Sequence, residues 1–344
     1  MSAPAVAVDI GGTKIQVAGV GAGGLTRVVE LPTPVDAGPE AVVAAVVGAA
    51  AELRAAGPTV VACPGSLDTA AGIVHHAANL PFAGFPLARR LGEELGGPAR
   101  LVGDTVAAAV AEFTTGAAAG TSHGLYVTVS TGIGMSIVTH GRLVTGAEGQ
   151  AGEFGHVPVV HGPRARPCGC GQRGCLEAYA SGRALADRAP TRLGGPGPVT
   201  AARVVAAARA GDPDARHLVG TAVDLLALTV AGTVRVLAPE AVVLGGGLLL
   251  AGELVGPLRE RVVELLSRTV PHVGEVLRPA RYGRLSGLYG AAMLARGDRA
   301  AELLLTGPAP GDPAPARSAG PVVPTPTRVT VPAEGPPSAP GVRP

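Results

Sequence analysis

The stretch AVAVDIGGTKIQVAGV, residues 5–20, is the part of the chain that most directly predicts its fold. Its apolar residues alternate with other residues on both sides of a glycine pair, a pattern typical of two β-strands joined by a hairpin turn. The stretch LYVTVSTGIGMSIVTH, residues 125–140, repeats this plan. Two hairpin arrays whose first turns are glycine-rich indicate a duplicated α/β architecture with a cleft between two lobes.

The rest of the chain fits the same alternation of strands and helices. Buried strands are predicted at TVVAC (59–63), ARLV (99–102) and AVVLGGG (241–247). Helices are predicted near residues 40–56, 87–95, 104–118, 176–188, 199–210, 213–237, 252–269 and 286–297. We assign 1–118 to an N-terminal lobe completed by the helix near 286–297, 119–303 to a C-terminal lobe, and 304–344, rich in proline and glycine, to a disordered tail.

Composition narrows the classes of protein. The 344 residues are 47% hydrophobic and carry a net charge of only +2, without a basic run, so neither nucleic acid nor a membrane surface is an expected partner. The longest apolar stretch, near 218–238, contains Asp224 and Arg235 and is not expected to span a bilayer. No signal peptide precedes the first strand, and four cysteines read as reduced thiols, so we expect a cytoplasmic protein.

Three glycine turns could hold a nucleotide. The first glycine turn, DIGGTK (9–14), leads into a strand and not into a helix, which excludes a P-loop or a dinucleotide fingerprint. Backbone N–H groups of such a turn can still bind phosphate, with Asp9 holding Mg²⁺ and with Thr13 and Lys14, the only lysine of the chain, as further donors. The second glycine turn, STGIG (130–134), repeats this arrangement at the start of the second lobe, and the third, LGGG (244–247), ends a buried strand and suits the close approach of a nucleotide's sugar or base. A plain hairpin turn is the alternative for DIGGTK taken alone.

A cysteine cluster predicts a structural zinc site. Three of the four cysteines lie within eight positions, and a histidine precedes them, so the predicted ligands are His156, Cys168, Cys170 and Cys175 of the zinc loop, residues 156–175. Incidental thiols or a redox pair are the alternatives, although no C-x-x-C occurs. Glu153 and Glu177 flank the motif, where they could accept hydrogen bonds from sugar hydroxyls or could be solvated surface acids.

Together these motifs resemble the ROK family of repressors, open reading frames and sugar kinases, and its glucokinases in particular. The resemblance spans about residues 5–297 and rests on DIGGTK, PG at 64–65, NLP at 79–81, GEFGH, CGCGQRGCLE, LGGG and GLYGAAML. It implies an actin-like (ribonuclease H-like), two-lobed sugar-kinase fold with an interlobe cleft. It further implies transfer of phosphate from ATP, with Mg²⁺, usually to the 6-hydroxyl of a hexose, and a homo-oligomer, either a dimer or a tetramer.

The resemblance also assigns roles to individual residues. Asp104 in LVGDTVAAAVAE matches the catalytic aspartate, which would accept the proton of the attacking hydroxyl. The positions that match the sugar site are Asn79, Gly103, Asp104, Glu153, His156 and Glu177, of which His156 is also a zinc ligand. The positions that match the nucleotide site are Asp9, Gly11, Gly12, Thr13, Lys14, Thr131, Gly132, Gly246 and Gly247.

One departure from the family pattern bears on the substrate. The family usually has Asn just before the catalytic Asp and again two residues after it, where this chain has Gly103 and Val106. A missing hydrogen-bonding side chain suggests an acceptor that differs from glucose, such as a modified sugar or a C7-cyclitol. A sugar-responsive repressor is disfavoured because no DNA-binding segment fits before residue 9. A sugar-binding protein without catalysis remains a further alternative, against which the retention of Asp9, Lys14 and Asp104 argues.

Overall fold

The computed structural model of the chain describes residues 5–306 except 148, 194–198, 252–253 and 271. The strands are β1 Ala5–Ile10, β2 Lys14–Gly21, β3 Gly24–Pro32, β4 Thr59–Cys63, β5 Ser66–Asp68, β6 Ile73–His76, β7 Ala83–Phe85, β8 Ala99–Gly103, β9 Gly124–Val129, β10 Ile133–Thr139, β11 Arg142–Leu143, β12 Ala241–Gly245 and β13 Leu277–Pro279.

The helices lie between these strands and after the last of them. They are α1 Pro39–Glu52, α2 Leu87–Leu95, α3 Asp104–Thr114, α4 Glu177–Ala180, α5 Gly182–Asp187, α6 Ala201–Arg209, α7 Pro213–Leu237, α8 Gly247–Ala251, α9 Val255–Leu266, α10 Val273–Val276, α11 Ser286–Ala295 and α12 Arg299–Thr306. Helices α2 and α7 have the predicted bounds, and most other predicted helices differ from the observed ones by a few residues at their ends.

The duplication predicted from the two hairpins is present. One five-stranded sheet has the order β3-β2-β1-β4-β8, and the other has the order β11-β10-β9-β12-β13. In each sheet the first strand pairs antiparallel with the second and parallel with a later strand, β1 with β4 and β9 with β12. The fold is therefore α/β and two-lobed, with one sheet in each lobe.

The packing between the lobes depends on two helices, α3 and α11. A core cluster joins both sheets through Ala7 of β1, Tyr126 of β9 and Val243 of β12, together with buried residues of α3 and α11. The two helices approach so closely that a Cβ added at Gly290 would lie 1.7 Å from the carbonyl oxygen of Ala107. Only a glycine allows this distance, so α3 is held firmly against α11.

The structure corrects several predicted boundaries. Helix α12 continues to Thr306, whereas the tail was predicted to begin at 304, because Ala301 and Leu304 are buried against the core. The predicted helix 176–188 is broken at Ser181, whose hydroxyl accepts the N–H of Ala184 and caps α5. The small sheet β5-β6-β7 and helix α8 were not predicted, and the rest of the predicted tail lies outside the described residues.

Helix α7 contains the apolar stretch near 218–238 that was not expected to span a bilayer. Among the described residues it is the one helix long and apolar enough to cross a membrane by length and composition alone, despite Asp224 and Arg235. However, 44% of its apolar window is buried, and it packs against α4, α6 and α9. A core helix passes the same test, so this helix is weak evidence for a membrane span.

Candidate active site

The first glycine turn places Asn79 beside the phosphate-binding candidates. The turn is closed by the N–H of Gly11, which donates to the carbonyl oxygen of Lys14 at 2.8 Å. The hydroxyl of Thr33 donates to the carbonyl of Gly11 at 2.7 Å and ties the turn to the end of β3. A Cβ added at Gly12 would lie 2.8 Å from Cβ of Asn79, so glycine is needed for the two segments to touch.

Two carboxyl groups from different strand ends, Asp9 and Asp104, interact in the cleft. Asp9 lies near the end of β1, and Asp104 is the first residue of α3, immediately after β8. Burial and the charge of Asp104 raise the pKa of Asp9 from 3.8 to about 7, against the opposing charge of Lys14. Burial also raises the pKa of Asp104, with a smaller contribution from the charge of Glu153. Such a cluster of acids favours a bound cation at neutral pH.

The Asp104 carboxylate is oriented by its own helix. Its Oδ1 accepts the backbone N–H of Thr105 at 2.8 Å, a bond that lowers its pKa and opposes the effect of burial. Gly103 precedes it without a side chain, and a Cβ there would meet Cγ2 of Val106 at 3.4 Å. The two positions at which the sequence departs from the family pattern are thus neighbours, and neither offers a polar side chain.

Lys14 has a partner that the sequence did not reveal. Its Nζ lies 3.3 Å from Oε2 of Glu30, to which Nε2 of Gln16 also donates at 2.8 Å. Arg284, in the segment before α11, donates to the same carboxylate. These groups meet because Gln16 of β2 is directly opposite Glu30 of β3 in the register.

The second glycine turn is held by the segment that follows the zinc loop. The N–H of Ser130 donates to the carbonyl of Gly132 at 2.9 Å and closes the turn. Glu177, the first residue of α4, accepts the N–H of Ile133 at 2.8 Å through Oε2, so this carboxylate supports the turn that contains Thr131 and Gly132.

The third glycine turn meets the second at one edge of the sheet. Strand β12 is parallel to β9 with Gly245 opposite Thr128, so both strands end at the same side. Gly246 has a φ of +90°, and a Cβ there would lie 2.4 Å from the carbonyl oxygen of Val129. Gly247 is close enough that a Cβ would lie 3.7 Å from the hydroxyl of Ser130. The backbone of the third turn therefore packs directly on the strand that leads into the second.

The four predicted zinc ligands are brought together. Their ligand atoms all lie within 4.8 Å of one another, with 3.6 Å between Sγ of Cys168 and Nδ1 of His156 and 3.7 Å between the sulfurs of Cys170 and Cys175. Zn–S bonds of about 2.3 Å and a Zn–N bond of about 2.0–2.1 Å at tetrahedral angles require about 3.8 Å between sulfurs and about 3.6 Å from sulfur to nitrogen. The arrangement fits a tetrahedral zinc ion.

The zinc loop is tightly folded and reaches the cleft. Gly174 has a φ of +84°, and a Cβ there would lie 1.9 Å from the carbonyl oxygen of Val160, so the loop requires glycine at this position. Nε2 of His156 lies 3.7 Å from Oε2 of Glu153, whose charge also acts on Asp104. One ring nitrogen of His156, Nδ1, therefore faces the cysteine sulfurs, and the other, Nε2, faces the carboxylate of Glu153.

Sequence reasoning missed two polar residues that connect parts of this site. Glu112 is fully buried near the end of α3 and accepts hydrogen bonds from the N–H groups of Ala117, Arg281 and Tyr282 and from the hydroxyl of Ser286. A lone glutamate among the alanines of VAAAVAEF was the available signal. The second residue, Arg183 of α5, donates to Oδ1 of Asn79 at 2.8 Å, and nothing in its local pattern indicated this contact.

Comparisons with known proteins agree with this architecture. The model of the ROK family matches residues 5–298. The glucokinase of Thermotoga maritima is 35% identical over 84% of this chain and 96% of its own length. An N-acetylmannosamine kinase of Citrobacter koseri is 36% identical over 86% of this chain and 99% of its own length. Both names describe sugar kinases.

Solved structures show the same likeness. A ROK family glucokinase from Streptomyces griseus in complex with glucose and AMPPNP has a TM-score of 0.74 at 30% identity, covering 86% of this chain and 99% of its own. A ROK hexokinase from Thermus thermophilus has a TM-score of 0.69 at 37% identity, covering 86% of this chain and 98% of its own.

Proposed function

The chain belongs to the ROK family and is an ATP-dependent sugar kinase, and from that premise we propose that it phosphorylates the 6-hydroxyl of a hexose with Asp104 as general base. The observation that carries this proposal is the position of Asp104 at the first residue of α3, directly after β8, where it is buried and interacts with the charges of Asp9 and Glu153. Burial raises the pKa of the Asp104 carboxyl, which makes its carboxylate a stronger base.

The geometry of Asp104 indicates which oxygen takes the proton. Oδ1 accepts the N–H of Thr105, and in this proposal Oδ2 accepts the proton of the acceptor hydroxyl. As that proton moves to Oδ2, the hydroxyl oxygen forms a bond to the γ-phosphorus of ATP, and the bond from phosphorus to the leaving oxygen of ADP breaks.

The glycine turns supply the phosphate-binding groups of this proposal. The first turn offers N–H groups at Gly12 and Thr13, the second offers those at Thr131 and Gly132, and the third brings Gly246 and Gly247 to the nucleotide. Asp9 would hold Mg²⁺ directly or through water, and bound Mg²⁺ would neutralise phosphate charge. The raised pKa of Asp9 supports this role, because a nearby cation stabilises its ionised form.

We propose that zinc is structural and bound by His156, Cys168, Cys170 and Cys175. The ligand distances support this assignment. A closed site of this kind supplies no chemistry of its own. The role of this site is to fix the position of His156 and, through it, that of Glu153. Both residues would then form hydrogen bonds with the acceptor sugar, together with Asn79 and Glu177.

The acceptor class follows from the relatives and from one local feature. Glucokinases and N-acetylmannosamine kinases are similar to this chain at nearly the same identity, which supports a hexose or an N-acylated hexosamine. The second candidate is a modified sugar or a C7-cyclitol, favoured by Gly103 and Val106, which lie side by side and offer no polar side chain.

A turnover screen tests the proposal. ATP consumption is measured with glucose, mannose, N-acetylmannosamine, N-acetylglucosamine, allose, a C7-cyclitol and 6-deoxyglucose as acceptors. We expect one of the hexoses to react and 6-deoxyglucose to be inert, with the ³¹P signal of the product split by the two protons of a primary carbon. Reaction with the cyclitol alone would favour the second candidate.

The role of Asp104 is tested in the same assay. Asp104→Asn should lower kcat by about 10²–10⁴-fold, the usual contribution of a general base. Asp36→Asn, which removes an exposed carboxylate before α1, is the matched control and should leave kcat unchanged. Unchanged turnover of Asp104→Asn would remove Asp104 from its role.

A further inference from the structure

We propose that Arg183 is a positioning residue that reaches across the cleft and fixes the side-chain amide of Asn79 for binding of the acceptor. The observation is a hydrogen bond of 2.8 Å from Nη1 of Arg183 to Oδ1 of Asn79, two residues that lie 104 positions apart in the chain. The proposal rests on the proposed function, in which Asn79 contacts the acceptor.

The Arg183 side of this contact is anchored to the second glycine turn. The N–H of Gly182 donates to the carbonyl of Ser130 at 2.7 Å, and the N–H of Arg183 donates to the carbonyl of Thr131 at 3.1 Å. A Cβ added at Gly182 would lie 2.6 Å from the same carbonyl of Ser130, so glycine is required for this approach. The start of α5 therefore moves with the second turn as one unit.

The Asn79 side is anchored to the first glycine turn. Cβ of Asn79 packs on Gly12, where an added Cβ would come within 2.8 Å. The next residue, Leu80, is buried and donates its N–H to the carbonyl of Ala77 at 3.2 Å. Asn79 is thus fixed to one turn and Arg183 to the other, and their hydrogen bond joins the two turns across the cleft.

The chemistry of the pair determines the orientation of the amide. A guanidinium group can only donate, so the oxygen of Asn79 must face Arg183. The Nδ2 amide group then points away and can donate its N–H bonds to a hydroxyl oxygen of the acceptor. Without Arg183, the amide could turn over and present either group, and part of the protein would offer the wrong one.

A second contact supports this geometry. Oδ2 of Asp187, one helical turn after Arg183, lies 3.7 Å from Nε of Arg183 and helps to hold the guanidinium in place. Arg183 remains 61% exposed, so its contribution is smaller than that of a buried charged hydrogen bond.

The contact can be measured without turnover because Asn79 is the only asparagine of the chain. Labelling with ¹⁵N-asparagine therefore gives one pair of side-chain amide signals in an NMR spectrum of the full-length protein. Arg183→Ala should shift this pair, whereas Arg188→Ala, which removes an exposed arginine just after the same helix, should not. An unshifted pair in Arg183→Ala would contradict the contact.

Kinetics with the best acceptor then test its role. Arg183→Ala should raise the KM for the acceptor about tenfold and change kcat less than twofold, and Arg183→Lys should restore part of the loss. In an Asn79→Ala background, Arg183→Ala should have no further effect, because the residue it positions is gone. A fall in kcat at unchanged acceptor KM would show that Arg183 acts on the phosphoryl group and would overturn the proposal.

The two proposals fail in different ways. If the wild-type protein phosphorylates no acceptor in the panel, the proposed function is wrong, while the NMR comparison still decides whether Arg183 holds Asn79. If kinase activity is present and the amide signals do not respond to Arg183→Ala, only the inference about Arg183 is wrong.

Discussion

The contact between α3 and α11 predicts that a glycine-to-alanine substitution destabilises the protein at one position, Gly290, although it stabilises the protein at another, Gly220. Replacing Gly290 by Ala would place a Cβ 1.7 Å from the backbone oxygen of Ala107, and neither atom belongs to a side chain that can turn away. The helices would have to move apart by about 1.7 Å to reach the 3.4 Å of an ordinary van der Waals contact. Overpacking of this kind costs about 1–3 kcal/mol, and a clash with backbone belongs at the upper end of that range.

The matched control is Gly220→Ala in α7. Apart from its chain neighbours and the nearby backbone of its own helix, no atom lies within 4 Å of the Cβ position at Gly220, so the substitution mainly changes the helix propensity. Ala is favoured over Gly inside a helix by about 0.8–1.0 kcal/mol, so this variant should be more stable than the wild type.

Unfolding by urea, followed by circular dichroism, measures both changes in the free energy of unfolding. We expect a loss of about 2–3 kcal/mol for Gly290→Ala and a gain of up to about 1 kcal/mol for Gly220→Ala. At about 2–4 °C per kcal/mol, Tm should fall by about 4–12 °C in the first variant and rise by about 2–4 °C in the second. Equal stability of Gly290→Ala and wild type would refute the packing of α3 on α11.

Three further predictions concern the acids of the fold and the metal. Glu112→Ala leaves three backbone N–H groups without an acceptor, at about 1–3 kcal/mol each, so the free energy of unfolding should fall by about 3 kcal/mol or more, and a loss below 1 kcal/mol would contradict its role as a buried acceptor. For Asp9, whose folded-state pKa is raised to about 7, the stability it contributes is fully present below about pH 4 and is lost as the pH rises towards 7. In the absence of nucleotide and Mg²⁺, Asp9→Asn should therefore be more stable than wild type at pH 8, with the difference shrinking towards pH 4; a difference that does not vary with pH would contradict the raised pKa. Finally, metal analysis should find about one zinc per chain, and Cys175→Ser should lose it, because one of four ligands is removed; full zinc content in this variant would contradict the assignment.

Local sequence patterns were sufficient for the elements that frame the cleft. The alternation of apolar residues around DIGGTK and STGIG predicted both hairpins. In a strand with one buried face, every second side chain points to the core. The spacing of the cysteines and His156 predicted the cluster at the zinc loop, because a chain rich in glycine can wrap one ion within a short segment. The motifs from Asp9 to Leu294 were specific enough to identify the family from a single sequence.

The same patterns predicted the ends of the helices and the start of the tail less accurately. Helix α12 extends past residue 304 because Leu304 finds a buried position on the core, and composition alone does not show which apolar residue of a proline-rich region will be buried. The break at Ser181 depends on a cap that competes with continued helix, and the sequence allowed both.

What the sequence by itself determined, therefore, was the family, the duplicated strand plan and the residue types available for phosphate, metal and proton transfer. The tertiary structure alone decided which of them meet: Lys14 with Glu30, Glu112 with the segment before α11, and Arg183 with Asn79. These pairs lie 16 to 170 positions apart. No local periodicity encodes such contacts, because they form only when the sheets and helices pack and bring the strand ends to a common cleft.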